Sequence, residues 1–297
     1  MKNKSIHISI VIIGYNTRAS LKSVLESINN LFIENHIIEV IYIDDGSTDD
    51  SLEMFNDYKL QFHKKEFKFN KNRGRSNARS KGVELASGEW ILFLNSNIVV
   101  KSNIILKYAE SIQNNTAYVF SGCVDYTSRD LVFEKYLNHS KRGMKQYKNG
   151  ALINYQNLLF SNCIIHKSIF DKITFNLDFK YYGGEELEFA YKLHKENPKM
   201  IRATSDAVGV RINHPDYKEH LYKLIEFGET NFNNLDKKLK KDIVRCNLLL
   251  IENIMFRCFF NALYRVCRQC YGVQFIGHQI IRLGMLSAIL KGYYKTR

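Results

Sequence analysis

Residues 38–49, Ile-Glu-Val-Ile-Tyr-Ile-Asp-Asp-Gly-Ser-Thr-Asp, run from a β-forming segment straight into a polar turn. Ile38 to Ile43 reads as an apolar strand, and Asp44-Asp45-Gly46-Ser47 stops it. Ser47 or Thr48 is placed to cap a following helix with Leu52 and Phe55 on its inner face. The same unit occurs upstream. Ile8 to Ile13 is a nearly continuous β-branched run, as expected of a strand buried on both faces of a parallel sheet. Gly14-Tyr15-Asn16 ends it. Leu21, Val24, Leu25 and Ile28 then recur at helical spacing, with Ser20 as the expected N-cap.

Downstream, Gln61 to Phe69 alternates more weakly and is read as a third strand. Gly74 to Leu85 is read as a helix, and Trp90 to Leu94 as a fourth buried strand. This alternation predicts an α/β layer with a parallel sheet. Ligands in such sheets bind outside the carboxyl ends of the strands. Three polar clusters fall there: Tyr15-Asn16, Asp44-Asp45 and Asn95-Ser96-Asn97. From about residue 100 the pattern loosens. Helix is expected over Ile104 to Ile112, strands over Ala117 to Val124, Leu158 to Ile165 and Met200 to Val210, and helix after Gly183-Gly184 and beyond Pro215.

The 297 residues carry 43 Lys and Arg against 30 Asp and Glu, a net +13. Twelve of the basic residues and only two of the acids lie in 237–297, so the tail carries +10 and the body +3. That partition argues against a nucleic-acid binder, for which no module is legible either. No unbroken apolar stretch of spanning length occurs, and Met1 to Ser5 lacks the order of a signal peptide. The six scattered cysteines suit a reducing cytosol better than a disulfide framework. Cys267-Arg268-Gln269-Cys270 is a single pair, where zinc usually needs two.

The ordered set Ile12 to Asn16, Ile43 to Asp49, Asn72-Arg73-Gly74 through Arg79, Ala86 to Glu89 and Gly184 to Glu188 resembles the family 2 glycosyltransferases over about residues 7 to 235. The resemblance implies a GT-A, Rossmann-like nucleotide-sugar-binding domain over 1–235. Its nucleotide half would span about 1–100 and its acceptor half about 101–235, with a basic amphipathic helical tail over 236–297. It also implies an inverting, hexosyltransferase-type reaction from a nucleotide diphosphate donor, UDP-linked, to a hydroxyl of a surface glycan or lipid-linked acceptor. Acceptor specificity would lie in loops such as Lys141 to Asn149.

Within that resemblance each motif acquires a role. Asp44 or Asp45 would accept hydrogen bonds from uracil N3–H or ribose hydroxyls, with Tyr15 and Asn16 beside them. Arg73, Arg75 and Arg79 flank a helix start, where guanidiniums and the helix N-terminus both favour phosphate. Glu185 and Glu186 stand where the family has Glu-Asp. That maps the general base onto Glu186, with Glu188 as an acceptor-binding carboxylate. The bland alternative is two acids in a first helical turn, stabilised by the macrodipole.

The departure is Asn95-Ser96-Asn97, where the family usually has Asp-x-Asp holding Mg²⁺ or Mn²⁺. Hard dications prefer anionic oxygen, so metal affinity should fall. Three alternatives stay open. Metal is held mainly by the diphosphate with Asn97 and His214. Transfer is metal-independent, with arginines or lysines neutralising the leaving group. Or the site is an inactive nucleotide-sugar-binding scaffold. In the tail, Leu248 to Tyr264 and Phe275 to Leu290 alternate apolar residues with arginines. They are read as a peripheral anchor on the inner face of the cell membrane, the alternatives being a helical cap or a subunit interface in an oligomer.

Overall fold

The computed structural model describes residues 4–244, 253–273 and 277–296. Its first hundred residues follow the expected alternation: β1 (His7–Gly14), α1 (Arg18–Asn29), β2 (Ile37–Asp44), α2 (Ser51–Asp57), β3 (His63–Lys68), α3 (Arg75–Leu85) and β4 (Trp90–Asn95). β5 (Ile98–Val100), α4 (Ile104–Gln113), β6 (Val119–Ser128), α5 (Leu131–Leu137), β7 (Asn162–His166), α6 (Glu185–Glu196) and β8 (Ile201–His214) complete the body. The later helices are α7 (Tyr217–Glu229), α8 (Lys237–Val244), α9 (Ile254–Cys270) and α10 (Gly277–Lys295).

The eight described strands form one sheet in the order β3-β2-β1-β4-β7-β6-β8-β5. β3, β2, β1 and β4 are parallel neighbours, while β7 runs antiparallel to both β4 and β6. The β-branched runs explain the two-sided burial. Ile8, Ile10 and Ile12 of β1 meet Leu21, Val24, Leu25 and Ile28 of α1, whereas Val11 and Ile13 face Ala78 of α3 and the opposite layer. The chain order reverses at β1, with β2 on one side and β4 on the other. The loops after β1 and β4 therefore bound a crevice.

Several local expectations shift. Thr17, not Ser20, precedes α1; the Ser20 hydroxyl instead donates to the Ser96 carbonyl at 2.8 Å, tying the loop after β4 to α1. α2 begins at Ser51, because Ser47 is engaged by the turn. β5 and α5 are not legible in the sequence: three residues are too few for a periodicity, and α5 offers only two turns.

The tail divides into two physically different pieces. α10 is not a surface helix. It crosses α7 so closely that a Cβ on Gly228 would lie 2.0 Å from the Ile289 carbonyl, and one on Gly292 2.0 Å from that of Ile225. Small residues permit this approach, and Ile289, Leu290, Tyr293 and Tyr294 join the main core. The reading of Phe275 to Leu290 as an anchor is thereby corrected over 277–290, which forms a cap on the body; Phe275 and Ile276 lie outside the described residues. α9 buries Phe260, Tyr264 and Cys267 against that cap. Its other face stays open, with Met255 76% and Phe259 58% exposed. Leu248 to Glu252 and Cys246 lie outside the described residues. Among those described, no helix is long and apolar enough to cross a membrane.

Candidate active site

A cleft of about 1100 Å³ opens at the carboxyl ends of β1 and β4. Tyr15 and Asn16 form one lip, Asn95, Ser96 and Asn97 another, and Asp45 with Arg73, Gly74 and Arg75 the floor beyond β2. The floor is built from the Asp-Asp turn. Asp45 accepts the backbone N–H groups of Arg73 at 2.8 Å and Gly74 at 2.9 Å, one on each carboxylate oxygen. Burial still raises its pKa, against the pull of those N–H groups. Gly74 has φ +88°, and a Cβ there would meet the Lys180 carbonyl at 2.7 Å. Glycine is therefore what lets α3 begin against the far wall. Asn16 also has positive φ, and its Oδ1 accepts the Thr48 N–H at 2.9 Å, locking the β1 and β2 loops together.

The cleft is strongly cationic. Lys71, Arg73, Arg75, Lys180, Arg211 and Lys223 line it, against Asp45 and Glu226. Burial, with Arg211 and Arg75 nearby, holds Lys223 below its ordinary pKa against the opposing pull of Glu219 and Glu226. Asn95 Oδ1 is buried without a hydrogen-bond partner. An orphan acceptor of this kind is costly unless a ligand donor fills it.

Behind the cleft wall Arg79 is fully buried. Its Nη1 lies 3.3 Å from Glu185 Oε1 and its Nη2 2.5 Å from Glu186 Oε1. Arg75 adds a second guanidinium 3.6 Å from Glu185. The other Glu186 oxygen accepts the Phe160 N–H at 3.3 Å. Burial works to raise the Glu186 pKa, but Arg79 and Arg75 outweigh it and hold the carboxyl below its ordinary value. Glu186 is thus ionised at neutral pH and held by the Arg79 guanidinium on one oxygen and a backbone N–H on the other.

A family model described as Glycosyl transferase family 2 matches residues 9–174. The chain belongs to glycosyltransferase family 2. It is 34% identical over 116 residues to glycosyltransferase GlyG of Streptococcus pneumoniae, covering 39% of this chain and 38% of the relative. It is 32% identical over 117 residues to the poly(ribitol-phosphate) beta-glucosyltransferase of Bacillus spizizenii, covering 39% and 18%. These matches span well under half of the relatives' own lengths. Among solved structures, S. aureus TarS 1-349 in complex with UDP-GlcNAc aligns at TM-score 0.58 and 15% identity over 98% of this chain and 91% of that one. GalNAc-T7 with UDP, GalNAc and Mn²⁺ aligns at 0.57 and 16% identity over 72% and 45%. The likeness establishes the GT-A fold.

Within this family 2 chain, several expected site residues lie elsewhere than the motif implied. Asp44 is fully buried beneath the cleft, accepting the Ser47 N–H at 2.6 Å, so of the acidic pair only Asp45 faces the cavity. Arg79 does not line the cleft: its guanidinium is consumed by Glu185 and Glu186. Glu185 is itself buried in that pair rather than open to a substrate. Glu186 and Glu188 line neither described cavity, and Glu188 pairs with Lys192 at 2.9 Å. His214 is also outside the cleft, its ring packed among Tyr126, Phe133 and His220, with Nδ1 donating to the Pro215 carbonyl at 2.8 Å. Asn95, Ser96 and Asn97 do line the cleft but bring no anionic oxygen. This donor set does not fit a hard dication. Lys71, Lys180, Arg211 and Lys223 escape sequence reading, since they come from four separate segments and share no motif.

Burial, with Arg211 nearby, lowers the His214 pKa to about 4 from 6.5. A folded value below the unfolded one means that unfolding takes up a proton below pH 6.5. The stability due to a neutral His214 is therefore complete above about pH 6.5 and is lost as pH falls toward 4. Urea unfolding at about pH 7.5 and about pH 5 should show this decline; His220, packed beside His214 and lowered to about 3, adds its own share, so His214→Phe should lessen the decline without abolishing it. An equal decline in the variant would refute the assignment.

Proposed function

We propose that this chain transfers a hexose from a UDP-linked donor to a hydroxyl of a surface glycan or lipid-linked acceptor, with inversion at the anomeric carbon. The observation that carries the reading is the cationic cleft at the β1–β4 switch point, backed by a guanidinium-held Glu186. The nucleoside would lie by Tyr15, Asn16 and Asp45. The orphan Asn95 oxygen suits a ribose or sugar hydroxyl, and the diphosphate lies among Arg73, Arg75, Lys180, Arg211 and Lys223. The structurally similar TarS 1-349 forms a complex with UDP-GlcNAc, which supports a uridine donor here.

In the reaction, the acceptor oxygen attacks the anomeric carbon from the side opposite the diphosphate. A new C–O bond forms as the old anomeric C–O bond breaks, and its electron pair leaves on the β-phosphate oxygen. The acceptor proton passes to Glu186. Preorganised cations stabilise the charge developing on the leaving group. They take the place of a protein-held dication at Asn95-Ser96-Asn97.

The open face of α9 gives the tail a second role. Ile254, Met255, Phe259 and Val266 are exposed on it, with Arg257 and Arg265 exposed alongside. An apolar face with flanking arginines suits the surface of an anionic bilayer. This reading places the enzyme in the cytoplasm, peripheral on the inner face of the cell membrane, where lipid-linked acceptors are presented.

Two measurements test these readings. UDP release from a panel of UDP-hexoses, with cell-envelope extract as acceptor, should persist in EDTA. It should fall by about 10²–10⁴-fold in Glu186→Gln while calorimetric UDP affinity is kept. Unchanged turnover removes Glu186 as base; no turnover with any donor or metal favours a scaffold. Cosedimentation with phosphatidylglycerol vesicles should be lost in Met255→Asp/Phe259→Asp, and undiminished binding would exclude α9 as the contact.

A further inference from the structure

A second cavity, about 680 Å³, lies between the segment after α5 and the start of α10. Its cationic lining is Lys141, Arg142 and Arg282, with His139 and His278, and no Asp or Glu lines it. Among the described residues none of the three full cations has a carboxylate partner, and Asp125 on β6 is taken by Lys145 at 2.6 Å. Arg142 is held in place by stacking, its guanidinium carbon 4.0 Å from the Tyr136 ring centroid. Its Nη1 is nevertheless buried without a hydrogen-bond partner. The His139 and His278 rings meet at 4.7 Å beside it. Burying a guanidinium nitrogen without an acceptor is costly, which marks the position as built for an anion that arrives with a ligand.

This cavity borders the chemistry. Leu159 lines it, and the next residue, Phe160, donates its N–H to Glu186. Tyr126 lines it too, and its register partner on β8 is Arg211, which lines the donor cleft. Glu186 itself lines neither cavity; it is held by Arg79, behind the donor-cleft wall, and by the N–H of Phe160, the residue next to Leu159 of this cavity. Two of the walls, the segment 138–147 and the start of α10, come from parts of the chain with no place in the donor cleft.

We propose that this cavity receives the acceptor, and that Arg142, Arg282 and Lys141 bind a phosphoryl group carried by it. The inference rests on the transferase reading above. Three cations and two imidazoles with no acid in the lining suit the multiple charged oxygens of a phosphoryl group better than a single carboxylate. Two sources share that chemistry: the phosphodiester of a polyol-phosphate polymer, and the diphosphate of a prenyl-linked glycan.

The test uses the full chain saturated with UDP, so that the donor cleft is occupied. Calorimetry would titrate a short phosphodiester-linked glycerol phosphate oligomer, farnesyl diphosphate in detergent, and glycerol as the neutral control. At least one phosphorylated probe should bind and glycerol should not; which probe binds identifies the source. Arg142→Gln/Arg282→Gln should weaken that probe by about tenfold or more, as expected for losing charge-assisted hydrogen bonds, while UDP affinity stays within about twofold. Arg282→Gln alone, at an exposed position that leaves the fold intact, should still weaken the probe several-fold. Equal binding of the probe to wild type and both variants overturns the proposal, as does binding of neither phosphorylated probe. Failure of UDP to bind contradicts the donor reading instead, and the comparison of wild type with variants still decides this one.

Discussion

The guanidinium of Arg79 is the contact on which the arrangement depends. It is fully buried on α3 and faces two carboxylates at the start of α6, 106 and 107 residues away in sequence. Removing Arg79 alone would leave the buried Glu185 with only the Arg75 guanidinium, 3.6 Å away, and Glu186 with only the Phe160 N–H; breaking buried pairs of this kind costs on the order of 3–5 kcal/mol. The cluster joins α3 to α6. It fixes where the Glu186 carboxylate, the proposed base, sits, and it keeps that group ionised.

Burial also decides which parts of the site can be read from the chain alone. The polar loops after β1 and β4 are legible because apolar runs end abruptly at Gly14 and Asn95, and a parallel sheet collects such ends at one edge. Glu186 is legible only through resemblance, since acids in a first helical turn are common. Asp44 and Arg79 mislead for one reason. Charged residues in a binding motif are expected to face the ligand, whereas both are buried and satisfy the protein's own groups. The cations that do face the cleft, Lys180, Arg211 and Lys223, come from a loop, a strand and a helix that only folding brings together.

The charge partition reads differently with the fold in hand. The basic tail is not one unit. α10 is tied into the core by helix crossings that small residues permit, so it supports α7 and one wall of the second cavity. α9 lies outside that cap with an apolar face turned outward. Meanwhile the nearly neutral body lines a cationic cleft and, together with Arg282 of α10, a second cationic cavity, because its acids are spent in pairs such as Glu39 with Lys65, Glu188 with Lys192 and the Arg79 cluster. A small net charge therefore coexists with a strongly positive cleft.

The most direct test is a double-mutant cycle on Arg79→Met and Glu186→Gln, read by urea unfolding near neutral pH. If the buried ion pair holds α3 to α6, the single losses will be non-additive, with a coupling on the order of 1–3 kcal/mol. Losses that add to within about 0.5 kcal/mol would mean that Arg79 does not hold Glu186, and the assignment of the base would fail.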